Sequence, residues 1–381
     1  MKLEKIKKLT GGSQANVTFV IKILILVVCA IFFEIATRGI FLSSRNATLL
    51  LRQTAINGVL ATGMVYIIVS GNIDLSIGSG VAMTGAILAV LQTWHQWGTV
   101  PSILVVLLVG ICIGLFHGFW IIRDVPAFVV TLGTMLVFRG LALLITKGVS
   151  IAPLTVTTKQ IGQGFVPIVP SIILFIAIFV FLVIRWFIAR AKAKSQENVT
   201  SKKPKVMQLV SYGILVVAMI YVVSGYKGLP IPVLIMMGLM VVMWFLSKFT
   251  AFGRNVYAVG GNAEASRYSG INVKRVTFIV VLIMGVFTSI GGILLSARLD
   301  GAMPAMGSLM EMDAISAAII GGCSLAGGSG TIWGALFGAL FMAALDNGMS
   351  LLNIGSFMQY IVKGLIIIIA VYSDVSANKR K

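Results

Sequence analysis

The feature that most constrains this chain is an apolar run of roughly twenty residues that recurs along its whole length. Such runs fall at 17–37, 54–70, 73–92, 101–122, 126–146, 167–188, 206–226, 231–246, 276–297, 312–326, 331–352 and 357–372. A helix needs about 20 apolar residues to cross the hydrocarbon of a bilayer, and most of these runs supply them. The expected fold is therefore an all-α polytopic membrane protein with about twelve transmembrane segments and both termini cytoplasmic. The first run, Val17 to Thr37, has no small-residue cleavage site after it and reads as a retained span. The runs starting at Ile73 and Met312 are Gly-rich or short, and are expected to be broken or re-entrant.

Composition agrees and narrows the classes of function. Of 381 residues, 58% are hydrophobic and 11% charged, and the mean hydropathy is +1.03, which excludes an ordinary soluble domain. Twelve spans take roughly 240 residues, so no soluble catalytic domain fits in the remainder. The net charge of +19 would suggest a nucleic-acid partner in a polar chain. Here the charge lies between apolar runs, and a lipid bilayer is the partner expected. Twenty-one of the thirty Lys and Arg fall in the segments that a twelve-span scheme leaves inside, against seven outside and two within spans. One cluster, Arg38, Arg45 and Arg52, runs against the bias. Cys29, Cys112 and Cys323 lie inside apolar runs with no metal-ligand spacing, so no metal site is expected.

The expected organisation is a basic cytoplasmic N-terminus over 1–16, a membrane domain over 17–373 and a basic cytoplasmic tail over 374–381. Two hydrophilic stretches interrupt the membrane domain. The first, 185–205, reads as a charged, solvated linker. The second, 247–275, carries glycines at 253, 260, 261 and 270 and a helix-compatible core between them. Asn262 is placed to cap that core, Glu264 lies in its first turn, and Gly270 fits the residue after its end. Two readings stand: a docking element, or a tight loop between spans.

No Gly-x-x-x-x-Gly-Lys-Ser/Thr occurs, so the chain has no P-loop for ATP. Charges inside spans are functional candidates by default, because burying one in hydrocarbon costs a few kcal/mol or more. Glu34, Asp74, Arg139, Glu311, Asp313, Asp346 and Lys363 qualify. Asp74 lies in SGNIDLSIGSG, where Gly71 and Asn72 interrupt the run and Asp74 or Ser76 can cap a restarting helix. That is either a broken helix lining a polar path or a turn between two ordinary spans. The acids are scattered and show no sequence pairing, which argues against a proton relay. His117 lies among Gly110, Gly114 and Gly118, a close-packing pattern, as are Gly334 and Gly338 in a later span. Asp313, Ser316 and Ala317 share one helical face.

Several stretches together resemble the membrane subunits of bacterial ABC importers for monosaccharides, the ribose, galactose and xylose permease family. They are GNIDLSIGSGVAMTGAI from residue 71, VPAFVVTLGTMLVFRGLALLITKG from 125 and FGRNVYAVGGNAEASRYSGINVKR from 252. EMDAISAAIIGGCSLAGGSGTIWGALFGAL from 311, NGMSLL from 347 and QYIVKGLIIIIAVYSD from 359 complete the set. The resemblance implies that the subunit is not itself an enzyme and has no cofactor, ATP being hydrolysed on a cytoplasmic ATPase partner. It implies that 253–270 docks on that ATPase, with Gly253, Arg254, Gly261, Asn262, Glu264, Ala265, Arg267 and Gly270 as the coupling residues. It further implies pairing with a second copy around a central sugar path, and sugar delivery by an extracytoplasmic binding protein. The charged insert near 185–205 is similar to the longer xylose or multiple-monosaccharide members. Asn72, Asp74, Ser76, Thr131, Arg139, Asp313 and Asn347 are the expected path residues. A branched-chain amino acid is the rival cargo, and an ion-coupled secondary transporter with Asp74 or Asp313 as its ion site is the rival class.

Overall fold

The structure is a computed structural model and describes residues 14–195 and 206–378. Its long helices are α1 (Gln14–Ala36), α2 (Ser44–Val69), α3 (Ile77–Ala89, continued by a π turn at Val90–Trp94), α4 (Thr99–Ile121) and α5 (Ala127–Thr146). A short α6 (Val156–Gln163) leads to α7 (Ile168–Ser195), α8 (Val206–Ser224) and α9 (Ile231–Phe249). Two short helices, α10 (Ala251–Gly261) and α11 (Ala263–Tyr268), precede α12 (Val273–Leu299), α13 (Met310–Gly321), α14 (Ile332–Leu351) and α15 (Ser356–Asn378). A two-residue antiparallel ribbon pairs Phe165 with Pro230 and Val166 with Leu229, tying the starts of α7 and α9 together.

Among the described residues, eight helices are long and apolar enough to cross a membrane: α3 with its π turn, α4, α5, α7, α9, α12, α14 and α15. The protein is thus an all-α polytopic membrane protein, and each expected apolar run contains a helix. Three boundaries move. The stretch 185–205 is not a linker from its start, because α7 continues to Ser195; the run 196–205 lies outside the described residues. The tail from 374 begins as helix, since α15 reaches Asn378. In 247–275, Gly253, Gly260 and Gly261 are not corners but part of α10.

Burial separates centre from rim. Over the 18-residue apolar stretch of each helix, 67% of α12 and 72% of α3 with its π turn is buried, against 11% of α7. Beside them stands α2, buried almost continuously from Thr54 to Val69 despite its threonines and Asn57. Its hydroxyls solve their own problem. Thr54 Oγ1 donates to the Leu50 carbonyl at 2.8 Å and Thr62 Oγ1 to that of Gly58 at 2.7 Å, so neither needs a partner from another helix.

Small residues bring α4 onto α12. A methyl built on Gly114 would lie 2.6 Å from the Leu282 Cα, one on Gly110 2.7 Å from the Gly285 carbonyl, and one on Gly118 2.6 Å from the Phe278 ring. Spaced four apart, the three lie on one face of α4. Gly334 and Gly338 of α14 abut the carbonyls of Gly321 and Ala317 on α13 in the same way. In lipid, such backbone contact replaces the hydrophobic drive that packs helices in water. Gly114→Ala is expected to force α4 off α12 at a cost of about 1–3 kcal/mol, read as a lower thermal-unfolding midpoint in detergent. Gly140→Ala, where the added methyl meets nothing within 4 Å, should leave that midpoint unchanged or raise it.

Candidate functional site

Two non-helical segments interrupt the bundle and meet inside the protein. The first lies between α2 and α3. After Val69 the chain continues through Ser70 to Ser76 without helix, and α3 restarts against the middle of α12, where Gly80 faces Thr288. The chain thus leaves helix inside the bundle before α3 restarts. Asp74 is buried, and its Oδ1 accepts from the Ser76 backbone N–H at 2.8 Å and the Ser76 hydroxyl at 2.7 Å. It braces the interruption itself, since Ser76, the N-cap of α3, makes no side-chain cap bond. Asn72 Nδ2 donates to the Ser70 hydroxyl at 3.1 Å. Thr131 on α5 stands over the segment, its hydroxyl 3.4 Å from the Ile73 carbonyl. Beside it, buried His117 shares a 2.8 Å hydrogen bond with Thr134.

The second interruption lies between α12 and α13. The loop from Asp300 to Leu309 is held by Arg139 of α5, whose Nη1 donates to the Met306 carbonyl at 2.8 Å and the Pro304 carbonyl at 3.3 Å. The two restarts touch: a methyl on Gly78 would strike the Glu311 carboxylate and the Gly307 carbonyl. Buried Glu311 therefore sits at the junction, within electrostatic reach of Arg139, Lys363 and Asp74. With only twelve residues, α13 is about 18 Å long and covers little more than half of a bilayer core.

Two of the scattered acids come together in space, although nothing in the sequence pairs them. Lys363 of α15 lies between Asp313 of α13, 2.8 Å away, and Asp346 of α14, 3.0 Å away. The pairs are 50 and 17 residues apart in the chain, so no local pattern announces them. One ammonium between two carboxylates ties three helices at one point. One turn on, Ser316 is fully buried and its hydroxyl has no hydrogen-bond partner among the described residues. Asn347 is used elsewhere: its amide and that of Asn46 bond reciprocally at 2.7 and 3.0 Å, fastening α14 to the start of α2. The expected path residues thus divide into Asn72, Asp74, Ser76 and Thr131 at the first break, Arg139 at the second, Asp313 in the ion triad, and Asn347 in a packing contact.

At one end of the bundle α10 and α11 form an outer face. Asn262 caps α11 by accepting from the Ala265 N–H at 2.9 Å, Glu264 and Arg267 occupy its first and last turns, and Gly270 follows with φ at 83°. Arg267 and Gly270 line an open cleft of about 570 Å³ with Asp124, Asn272 and Lys274. The loop 322–331 joins this face to the interior. Its Gly328 N–H donates to the Val69 carbonyl at 2.9 Å, at the first break, while Asp374 accepts from Ser324 Oγ and Leu325 N–H at 3.1 Å. Tyr257 of α10 donates to the Gly330 carbonyl at 2.9 Å. Burial, with Cys323 nearby, raises its phenol above the usual range. Gly260 packs on the Val69 carbonyl, and Gly327 on the Gly260 carbonyl. Sequence reasoning did not find Tyr257 or the loop's bracing role, which no residue pattern marks.

A bundle with two interruptions meeting at buried charges, and a capped helix on one outer face, defines a helical membrane transport protein. The family described as branched-chain amino acid transport system / permease component matches residues 46–371, and the chain belongs to it. It is a permease component, not an enzyme. It is 40% identical over 370 residues to the xylose transport system permease protein of Haemophilus influenzae, covering 97% of this chain and 98% of that one. To the xylose permease protein of Escherichia coli K12 it is 41% identical over 375 residues, 98% and 95% of the two chains. To the ribose import permease protein of Bacillus subtilis it is 34% identical over 337 residues, 88% and 86%. No solved structure matches the chain.

Breaking a buried ion group strands a charge, whereas replacing the whole group with apolar residues does not. Lys363→Met alone is expected to destabilise the protein by about 3–5 kcal/mol. The combination Asp313→Leu, Lys363→Met and Asp346→Leu should recover most of that loss, measured by unfolding in detergent.

Proposed function

We propose that this chain is the membrane subunit of a cytoplasmic-membrane importer that carries a monosaccharide, xylose or a related pentose or hexose, by alternating access. The observation that carries the cargo class is the 40% identity over nearly the full length to a xylose permease protein. The family description names branched-chain amino acids, but the full-length relatives are sugar permeases, and they decide between the two. The chain has no P-loop of its own, so a separate cytoplasmic ATPase drives the cycle, with a sugar-binding protein delivering cargo on the other side and a second copy of the permease completing the path.

Orientation follows from charge. Lys248, Arg254, Arg267, Lys274 and Arg275 cluster at the α10–α11 end, which faces the cytoplasm under the positive-inside rule. Counting the 300–309 loop with α13 as one passage, the chain then crosses twelve times and both termini lie inside. The sugar passes beside the junction of the two interruptions, where Asn72, Asp74, Ser76, Thr131, Arg139 and Asp313 offer hydrogen-bonding groups.

The coupling step belongs to α11. Glu264 near the helix start and Arg267 near its end are exposed, and Arg267 lines the cleft with Gly270. Gly253, Gly261, Asn262 and Ala265 serve the shape of the element and not its charge. Motion of α10 and α11 reaches the interior through Gly260 and Gly328, which contact the Val69 carbonyl at the end of α2 where the first break begins, with Gly327 packed on Gly260.

Labelled xylose uptake into a permease-deleted strain should be restored by this chain; unchanged uptake would remove the pentose assignment. Glu264→Ala should abolish recovery of an ATPase with the tagged protein from mild-detergent membranes. Asn262→Ala, which costs a helix cap about 1 kcal/mol, should weaken that recovery without changing the yield of folded permease. An ATPase recovered equally with all three forms would show that α11 is not the docking element.

A further inference from the structure

At the α10–α11 end, a second cavity of about 390 Å³ opens between the last turn of α9, the first turn of α10 and the first turn of α14. Trp244, Ser247, Lys248, Arg254, Thr331 and Trp333 form its walls. The two indole rings stand 6.5 Å apart. Lys248 and Arg254 are exposed, and neither has an ion-pair partner among the described residues. Next to the cavity Phe245 and Phe249 are 55% and 60% exposed, and Trp333 is 39% exposed. On a membrane protein such a surface faces acyl chains. The cavity therefore sits where hydrocarbon gives way to headgroups, the depth at which tryptophan concentrates.

We propose that this cavity binds the phosphate of an anionic phospholipid, with phosphatidylglycerol as the probe. Two unpaired cations complement one phosphodiester charge, the indoles line the glycerol and first acyl carbons, and the exposed phenylalanines continue the apolar surface down the lipid tail. Basic pockets between membrane helices take anionic headgroups by this chemistry. A free phosphate would use the cations but leave the aromatic walls unmatched. Arg254 thereby acquires a different role from the ATPase contact that the family resemblance implies. No residue of α11 lines this cavity, whereas Arg267 and Gly270 line the other cleft.

The test uses the full chain purified in a neutral detergent, titrated with phosphatidylglycerol, phosphatidylcholine or inorganic phosphate, and read by thermal midpoint and native mass spectrometry. Phosphatidylglycerol is expected to bind and raise the midpoint, while the other two do not. Lys248→Ala with Arg254→Ala should weaken phosphatidylglycerol binding about tenfold to thirtyfold, and Lys248→Arg with Arg254→Lys should keep it. Both sites are exposed, and an unchanged lipid-free midpoint certifies the fold. Equal lipid binding by wild type and the alanine pair would overturn the proposal, as would an equal shift with inorganic phosphate. Unchanged lipid binding with lost ATPase recovery would assign the cavity to the partner protein instead. None of these readings requires sugar transport, so they stand or fall apart from the import function.

Discussion

Every backbone polar group inside a bilayer needs a partner within the protein, and the interior of this molecule is arranged around two places where helix does not supply one. The segment 70–76 and the loop 300–309 leave the helical ladder within the bundle. They are tolerated because other elements close over them. Asp74 holds the Ser76 N–H, Gly328 holds the Val69 carbonyl, and Arg139 holds the Met306 and Pro304 carbonyls. Remove those partners and open backbone faces a medium that cannot hydrogen-bond it. Glycine makes the closure geometrically possible, since Gly78 and Gly307 let the restarts of α3 and α13 meet at van der Waals contact.

The same interruptions give the bundle an axis of action. A polar junction near the middle is flanked by α13, whose start is pinned by Asp313 to Lys363 and whose end leads into the loop 322–331. That loop touches α10 through Tyr257 and Gly260, and touches α15 through Asp374. A half-length helix held at its inner end by an ion group and joined at its outer end to the α10 face links the two. The ion triad fits that use: a buried salt bridge adds little net stability but strongly disfavours arrangements that separate its members.

Much of this was legible in the chain. Each of the twelve runs fell on a helix, because apolar length is a local property, although the helix Ser44–Val69 begins ten residues before its run. The capped α11 was legible too, because Asn262, Glu264 and Gly270 act on backbone within one or two turns of themselves. The glycine series 110, 114 and 118 announced a close contact but not its partner. The end of α7 was misplaced because a charged stretch past the membrane reads alike whether it continues a helix or leaves it. The same ambiguity hid α10, whose glycines resemble corners until packing on Leu246 and Val69 shows why they must be small.

The sequence by itself determined that the chain lives in a bilayer, where its helices lie, which end carries the positive charge, and, through its motifs, which family it joins. Those conclusions rest on composition and on contacts within a few residues. Only the tertiary structure decided that Asp313, Asp346 and Lys363 form one group, that Asn347 is spent on Asn46, and that two helix restarts meet at Gly78 and Glu311. The reason is distance along the chain. A buried charge must find its counterpart wherever folding delivers it, and Asn46 and Asn347, 301 positions apart, carry no local trace of the hydrogen bonds that join them.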